Sequence, residues 1–223
     1  MKNTAIVFAR APRLGAVKRR LAREIGDRAA LRFHAATLTG LLRALAAERR
    51  FRTVLALTPD RARLRLPRGV ARIGQGQGDL GRRMARALAR FSRGRAAIVG
   101  CDIPAAGPAD LIAAFRALGR ADAAFGPAAD GGYWLVALGP LRPARPFARV
   151  RWSGPHALGD TLANFAGRRV TRLRVLHDVD CAADLAVSLR DRGRYPAPAR
   201  CASANRSRSD RPRRQPPPAR SPG

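Results

Sequence analysis

Short apolar runs alternate with stretches of helical spacing from residue 4 to residue 190, and that alternation restricts the fold more than any single motif. Buried parallel strands read as unbroken apolar runs, and the helices covering them place apolar residues three or four apart. Residues 4–9, 51–58, 70–73, 96–99, 121–125, 133–138 and 170–176 carry the strand pattern. Helices are expected to begin near Val17, over 28–50, over the stretch with Leu80, Met84, Leu88 and Phe91, and over 109–118, 155–165 and 182–190. In 28–50 the core-facing stripe reads as Leu31, Ala35, Leu38, Leu42 and Leu45. Strands alternating with helices imply a three-layer α/β/α domain with a mainly parallel sheet.

The 223 residues suit one domain, expected over 1–193, and a tail over 194–223. The tail is rich in Ala, Pro, Ser and Arg and poor in large apolar residues, so it is expected to be disordered. Hydrophobic residues make up 46% of the chain, enough for a core, yet no apolar run could span a membrane. The apolar run after Lys2 stops at Arg10, too soon for a signal-peptide core. Cys101, Cys181 and Cys201 are scattered and odd in number. They suit neither a disulfide framework nor zinc-ligand spacing, which points to a reducing cytoplasm.

The net charge of +29 would ordinarily suggest a nucleic-acid partner. The basic residues are spread along the whole chain, however, and are nearly all Arg. Aromatic residues are only 5%, too few for stacking platforms along a single strand. Non-specific polyanion binding, through the Arg-rich tail in particular, is the expected consequence, with a dedicated Arg-rich nucleic-acid-binding protein as the weaker alternative.

The chemistry concentrates at loops that follow strands. Ala96-Ala-Ile-Val-Gly100-Cys101-Asp102-Ile-Pro104 places a carboxylate at the end of a central strand, where open α/β sheets bind ligands. Asp102 either holds a divalent metal on a phosphate ligand or caps the helix beginning near Pro108. Arg10-Ala-Pro-Arg-Leu-Gly15-Ala-Val-Lys18-Arg19-Arg20 is a basic loop entering a helix, which suits an anion. Lys18 is notable because the only other Lys is Lys2; it is a phosphate-binding ammonium or a solvated helix residue. Gly78-Asp79-Leu80-Gly81 is a helix start with Asp79 as N-cap, or a loop over a nucleotide. Asp130-Gly131-Gly132-Tyr133 is turn chemistry at a strand end, where Asp130 is expected to approach Asp102. Asp178 and Asp180 could complete a metal site, or Asp180 could cap the last helix. Lone His34 and His156 read as structural, and Trp152 reads equally as core or site.

In this order the segments resemble a bacterial GT-A-fold family of arsenosugar biosynthesis glycosyltransferases, formerly a domain of unknown function. The resemblance covers about residues 5–189 and rests on Phe8-Ala-Arg10-Ala-Pro12 with Gly15, Val17-Lys18 and Arg20-Leu21. It continues through Gly78-Asp79-Leu80-Gly81 with Arg83-Met84, then Gly100, Asp102 and Pro104. Gly126-Pro127-Ala128, Asp130-Gly131-Gly132-Tyr133, Trp152-Ser153, Asp178-Val179-Asp180 and Asp184-Leu185 complete it. Arg19, Arg82, Cys101 and Gly154 depart from the family pattern, Arg82 by reversing a charge.

The resemblance implies a three-layer GT-A domain, similar to nucleotide-diphospho-sugar transferases, that glycosylates a small-molecule acceptor. On that basis Arg10, Lys18 and Arg20 neutralise the diphosphate. Asp102 and Asp180 hold Mg²⁺ or Mn²⁺, and Asp130 positions or deprotonates the acceptor hydroxyl. Gly78, Asp79, Gly81, Gly131, Gly132, Tyr133, Trp152 and Ser153 shape the binding site. Nucleotidyl transfer with release of pyrophosphate is the alternative reaction.

Overall fold

The computed structural model describes residues 2–192, so the tail expected over 194–223 and Cys201 lie outside the described residues. The strands are β1 (Asn3–Arg10), β2 (Phe51–Thr58), β3 (Ala71–Gly74), β4 (Ala96–Gly100), β5 (Ala123–Pro127), β6 (Tyr133–Leu138) and β7 (Val170–Arg172). The helices are α1 (Arg19–Ile25), α2 (Asp27–Ala47), α3 (Leu80–Ala89), α4 (Pro108–Ala117), α5 (Ala157–Ala163) and α6 (Ala182–Arg192). The seven strands form one sheet in the order β3-β2-β1-β4-β6-β5-β7. β1 pairs in parallel with both β2 and β4, so the chain reverses its winding between β1 and β4. β6 alone runs against its neighbours, between β4 and β5.

Strand periodicity divides the core in two. Ala5, Val7 and Ala9 of β1 face one cluster with Leu38, Leu42 and Leu45 of α2 and Leu111 of α4. Ile6 and Phe8 face the other, with Met84 and Leu88 of α3 and Phe165 after α5. Successive side chains of a strand point to opposite faces, so a strand covered on both sides is apolar throughout.

Three boundaries differ from expectation for physical reasons. The buried face of α2 is Ala30, His34, Thr37, Leu38, Leu41, Leu42 and Leu45, so its first turns are rotated from the Leu31–Ala35 stripe. His34 is buried because its ring bonds the Arg10 carbonyl at the end of β1, an arrangement that hydrophobicity does not signal. α1 starts at Arg19, two residues past Val17, and has only seven residues. β7 stops at Arg172, although pairing resumes at the isolated bridge between Ala128 and Leu176. Between them Arg174 leaves the ladder and forms a two-pronged pair with Asp110, at 2.7 and 2.9 Å.

Candidate functional site

The switch between β1 and β4 brings the loop after β1 and the loop after β4 to one sheet edge. Asp102 lies two residues beyond β4, and Lys18 immediately precedes α1. Lys18 adopts a left-handed backbone conformation, φ 47° and ψ 47°, sparsely populated for a residue with a Cβ. Its side chain is only 5% exposed, and its Nζ lies 3.0 Å from Asp180 Oδ1 and 3.5 Å from Asp102 Oδ1. Lys18 is therefore no solvated helix residue. The two acids expected to share a metal share the Lys18 ammonium instead, so a cation between them has to displace it. The helix after the basic loop is short, and the Lys18 ammonium turns inward toward carboxylates. Burial works against the charged Lys18, but Asp102, Asp180 and Asp178 outweigh it and hold its pKa above the ordinary lysine range. Arg10 and Arg20 stay at the surface; Arg10 donates to the Ala16 carbonyl and Arg20 lies 3.7 Å from Asp180.

Asp102 does not cap α4. The Gly107 amide there is bound by the Asp110 carboxylate at 2.9 Å, which leaves Asp102 free for other chemistry. Burial raises the Asp102 pKa, but His34 and Lys18 outweigh it and hold the carboxyl below the usual range. Asp180 does not cap α6 either. Asp184 accepts from the Asp180 and Cys181 amides, and Glu24 from Ala182. The Val179 amide donates to the Asp102 carbonyl at 3.4 Å, and Val179 is buried. This contact carries the 178–180 segment past Asp102. Asp178 is pushed upward by burial and by the negative charges of Asp180 and Asp130.

A cleft of about 420 Å³ opens beside Asp102. Asp130 and Asp178 line it on the polar side, and Phe8, Met84, Tyr133 and Trp152 on the apolar side. Gly132 and Ser153 also line it. The β5–β6 hairpin explains Asp130: the antiparallel return of β6 puts the turn at the same sheet edge as the end of β4. Asp130 accepts from the Gly132 amide at 2.9 Å, an Asx turn that fixes its carboxylate. Gly131 has φ 86°, and a Cβ there would meet the Pro155 carbonyl oxygen at 2.3 Å. Its place is to seat the hairpin against the loop before α5. The Tyr133 ring packs edge-on to Phe125 and Trp152, and burial raises its phenol well above the ordinary range.

The α3 residues sit at the border of this cleft. Asp79 is the N-cap of α3, its carboxylate accepting from the Arg82 amide at 2.7 Å. Gly78 precedes it with φ 106°. A Cβ on Gly81 would come within 2.9 Å of both Phe147 and Trp152, so its missing side chain lets α3 approach the cleft wall. Leu80 and Met84 of the same helix line the cleft directly.

Sequence reading set His34 aside as structural, and the structure places it at the centre. Its side chain is 4% exposed, and its Nδ1 lies 3.7 Å from Asp102 Oδ1. Cys101 is buried alongside, its thiol raised well above the usual range first by burial and then by Asp102. The signal was present but faint, one ionisable residue on a mostly apolar helix face. Among the described residues the donor atoms of His34, Cys101 and Asp102 lie within 4.8 Å of one another, close enough to hold a metal ion, and the buried His34 Nδ1 without a hydrogen-bond partner supports that fit.

Sheet order, switch point and cleft together define an α/β protein of the nucleotide-diphospho-sugar transferase-like fold. The chain belongs to the family described as uncharacterized protein conserved in bacteria (DUF2064), whose model matches residues 41–154. That span takes in Asp102, Asp130, Tyr133 and Trp152. A protein from Desulfovibrio desulfuricans G20, provisionally named a nucleotide-diphospho-sugar transferase, is similar with a TM-score of 0.79 at 28% identity, over 86% of this chain and 88% of its own. Rv0371c of Mycobacterium tuberculosis H37Rv, in its manganese complex, has a TM-score of 0.50 at 19% identity over 85% of this chain and 98% of its own. The 2-C-methyl-D-erythritol 4-phosphate cytidylyltransferase of Thermus thermophilus has a TM-score of 0.53 at 16% identity over 84% and 97%. The last two likenesses speak to the fold alone. No curated protein matches the sequence.

Proposed function

We propose that this chain transfers a glycosyl group from a nucleoside-diphosphate sugar to a small-molecule acceptor, using Mg²⁺ or Mn²⁺ at Asp102. The observation that carries the reading is the contact of Lys18 with Asp102 and Asp180 at the switch point, beside a cleft lined by Asp130. The name of the Desulfovibrio protein and the sequence resemblance to arsenosugar glycosyltransferases support the same reaction class.

Arg10 and Arg20 flank Lys18 and offer guanidinium groups to the diphosphate. Lys18, released from Asp180, offers it a compact ammonium. Bound at Asp102 with Asp180, the metal would offset the charge that develops on the leaving diphosphate. Asp130, held by the Gly132 amide, orients the acceptor hydroxyl and takes its proton. Gly131, Gly132 and Tyr133 shape the acceptor side, and Trp152 with Ser153 closes it. Gly78, Asp79 and Gly81 border the donor across α3. All of these residues fall within the single catalytic domain proposed over residues 1–193.

The basic loop with Lys18 beside Asp102 suits a second reading equally well, nucleotidyl transfer from a nucleoside triphosphate. The name of the Thermus cytidylyltransferase supports it. Incubating the protein with nucleotide sugars, and separately with nucleoside triphosphates and phosphorylated acceptors, separates the two. Release of free nucleoside diphosphate supports glycosyl transfer, and release of pyrophosphate supports the second reading. If neither ligand class binds, both readings are overturned.

A further inference from the structure

Among the described residues nothing satisfies one buried ring nitrogen of His34. Its Nε2 lies 3.0 Å from the Arg10 carbonyl, and a carbonyl can only accept, so Nε2 carries the proton. In the neutral ring Nδ1 is then a bare acceptor. It is buried, without a hydrogen-bond partner, and its charged neighbour is Asp102 Oδ1 at 3.7 Å. A proton or a metal ion between this buried Nδ1 and the half-exposed Asp102 carboxylate relieves the repulsion of the two acceptors. Lys18 reaches the same oxygen more loosely, its Nζ 3.5 Å from Asp102 Oδ1 and 3.0 Å from Asp180 Oδ1. The Cys101 sulfur is also near, and the candidate ligand atoms of His34, Cys101 and Asp102 all lie within 4.8 Å of one another.

We propose that Nδ1 of His34 and the carboxylate of Asp102 together hold the divalent ion, and that the ion is of the borderline class, Co²⁺ or Zn²⁺, in preference to Mg²⁺. Donor atoms about 2.1 Å from an ion and 3.7 Å apart subtend roughly 120° at it, close to the tetrahedral arrangement that imidazole and carboxylate give such ions. Imidazole nitrogen suits transition ions, whereas Mg²⁺ demands oxygen donors and octahedral geometry. The Nε2 contact with the Arg10 carbonyl is the outer hydrogen bond that metal-binding histidines use to fix tautomer and ring orientation. The proposal rests on the transferase reading and moves the ion from the Asp102–Asp180 gap, where Lys18 stands, to the Asp102–His34 gap.

Titrating the purified full chain with Co²⁺ tests this without any enzymatic readout. Visible ligand-field bands of tetrahedral intensity, together with paramagnetically shifted ring protons of one histidine in the unsubstituted protein, are the expected result. His34→Gln should weaken Co²⁺ and Zn²⁺ binding at least tenfold, with near-ultraviolet circular dichroism confirming that the variant is folded. Absence of a shifted histidine, or Co²⁺ affinity unchanged in folded His34→Gln, would overturn the proposal. Nucleotide binding that requires Asp102 and Mg²⁺ but ignores His34 would also overturn it while leaving the transferase reading intact. An intact Co²⁺ seat in a protein that binds no nucleotide would support it and sink the transferase reading.

Discussion

Lys18 Nζ lies 3.0 Å from Asp180 Oδ1 across 162 residues of sequence, and the contact joins the loop after β1 to the loop before α6. The same ammonium reaches Asp102, so one buried cation holds two acids from different loops. Removing one partner of a buried pair leaves the others uncompensated, which is costlier than replacing the whole group. Both acids are about half exposed, and that moderates the cost. Lys18→Met is expected to lower stability by about 1–2 kcal/mol near neutral pH, read from the urea midpoint. The deficit should shrink as pH falls and the carboxylates take up protons. Lys18→Met should also weaken nucleoside-diphosphate binding at least tenfold by calorimetry.

Asp178 gives the opposite pH signature. Burial and the charges of Asp180 and Asp130 raise its pKa, so the folded state holds a proton that the unfolded chain has already lost. Stability therefore declines as pH rises from the ordinary carboxylate pKa through the folded one, and the penalty persists above it. Asp178→Asn should remove that decline and raise stability at pH 7 by less than about 1 kcal/mol, the group being only partly shielded from solvent. Below the carboxylate range the two proteins should unfold alike. Urea midpoints across pH 3–8 decide the matter. A gain in stability with a loss of metal or nucleotide binding would mark Asp178 as a site residue held at a structural cost.

The layered fold was legible because strands buried on both faces leave unbroken apolar runs, and 51–58 and 133–138 match β2 and β6 residue for residue. The order of strands was less legible. Nothing in residues 123–138 says that β6 will insert between β4 and β5, yet that insertion carries Asp130 to the edge near Asp102. Asp102, Asp130 and Trp152 could be singled out as acids and an aromatic at strand or loop ends. The pairing of Lys18 with carboxylates could not, because it depends on a left-handed backbone at a residue that is not glycine. His34 escaped because one polar residue on a helix face carries no label of what it bonds.

Gly131 tests the hinge of the acceptor side. Its φ of 86° disfavours any L side chain, and a Cβ would press on backbone atoms of Pro155 that have no freedom to retreat. Gly131→Ala is expected to cost about 2–3 kcal/mol through backbone strain and displacement of the loop before α5. Gly132 is the control. Its added Cβ would lie 3.1 Å from the Asp130 carboxylate, a side chain that can shift by a few tenths of an ångström. Gly132→Ala should cost below about 1 kcal/mol, within the range of mild substitutions. Thermal unfolding of the two variants side by side checks the order.

Asp79 separates a cap from a ligand contact. Its carboxylate accepts from the Arg82 amide at 2.7 Å and has the Arg82 guanidinium at 4.0 Å. An N-cap carboxylate replaced by alanine costs about 1 kcal/mol, while serine keeps the capping oxygen. Asp79→Ala should therefore lose about that amount of stability, and Asp79→Ser should recover most of it. Nucleotide affinity should stay within twofold in Asp79→Ser, because the hydroxyl maintains the α3 start and with it the positions of Leu80 and Met84 in the cleft wall. A Ser variant that is stable but binds nucleotide ten times more weakly would show that the charge itself reaches the ligand. Calorimetric titration of both variants, paired with their urea midpoints, distinguishes these outcomes.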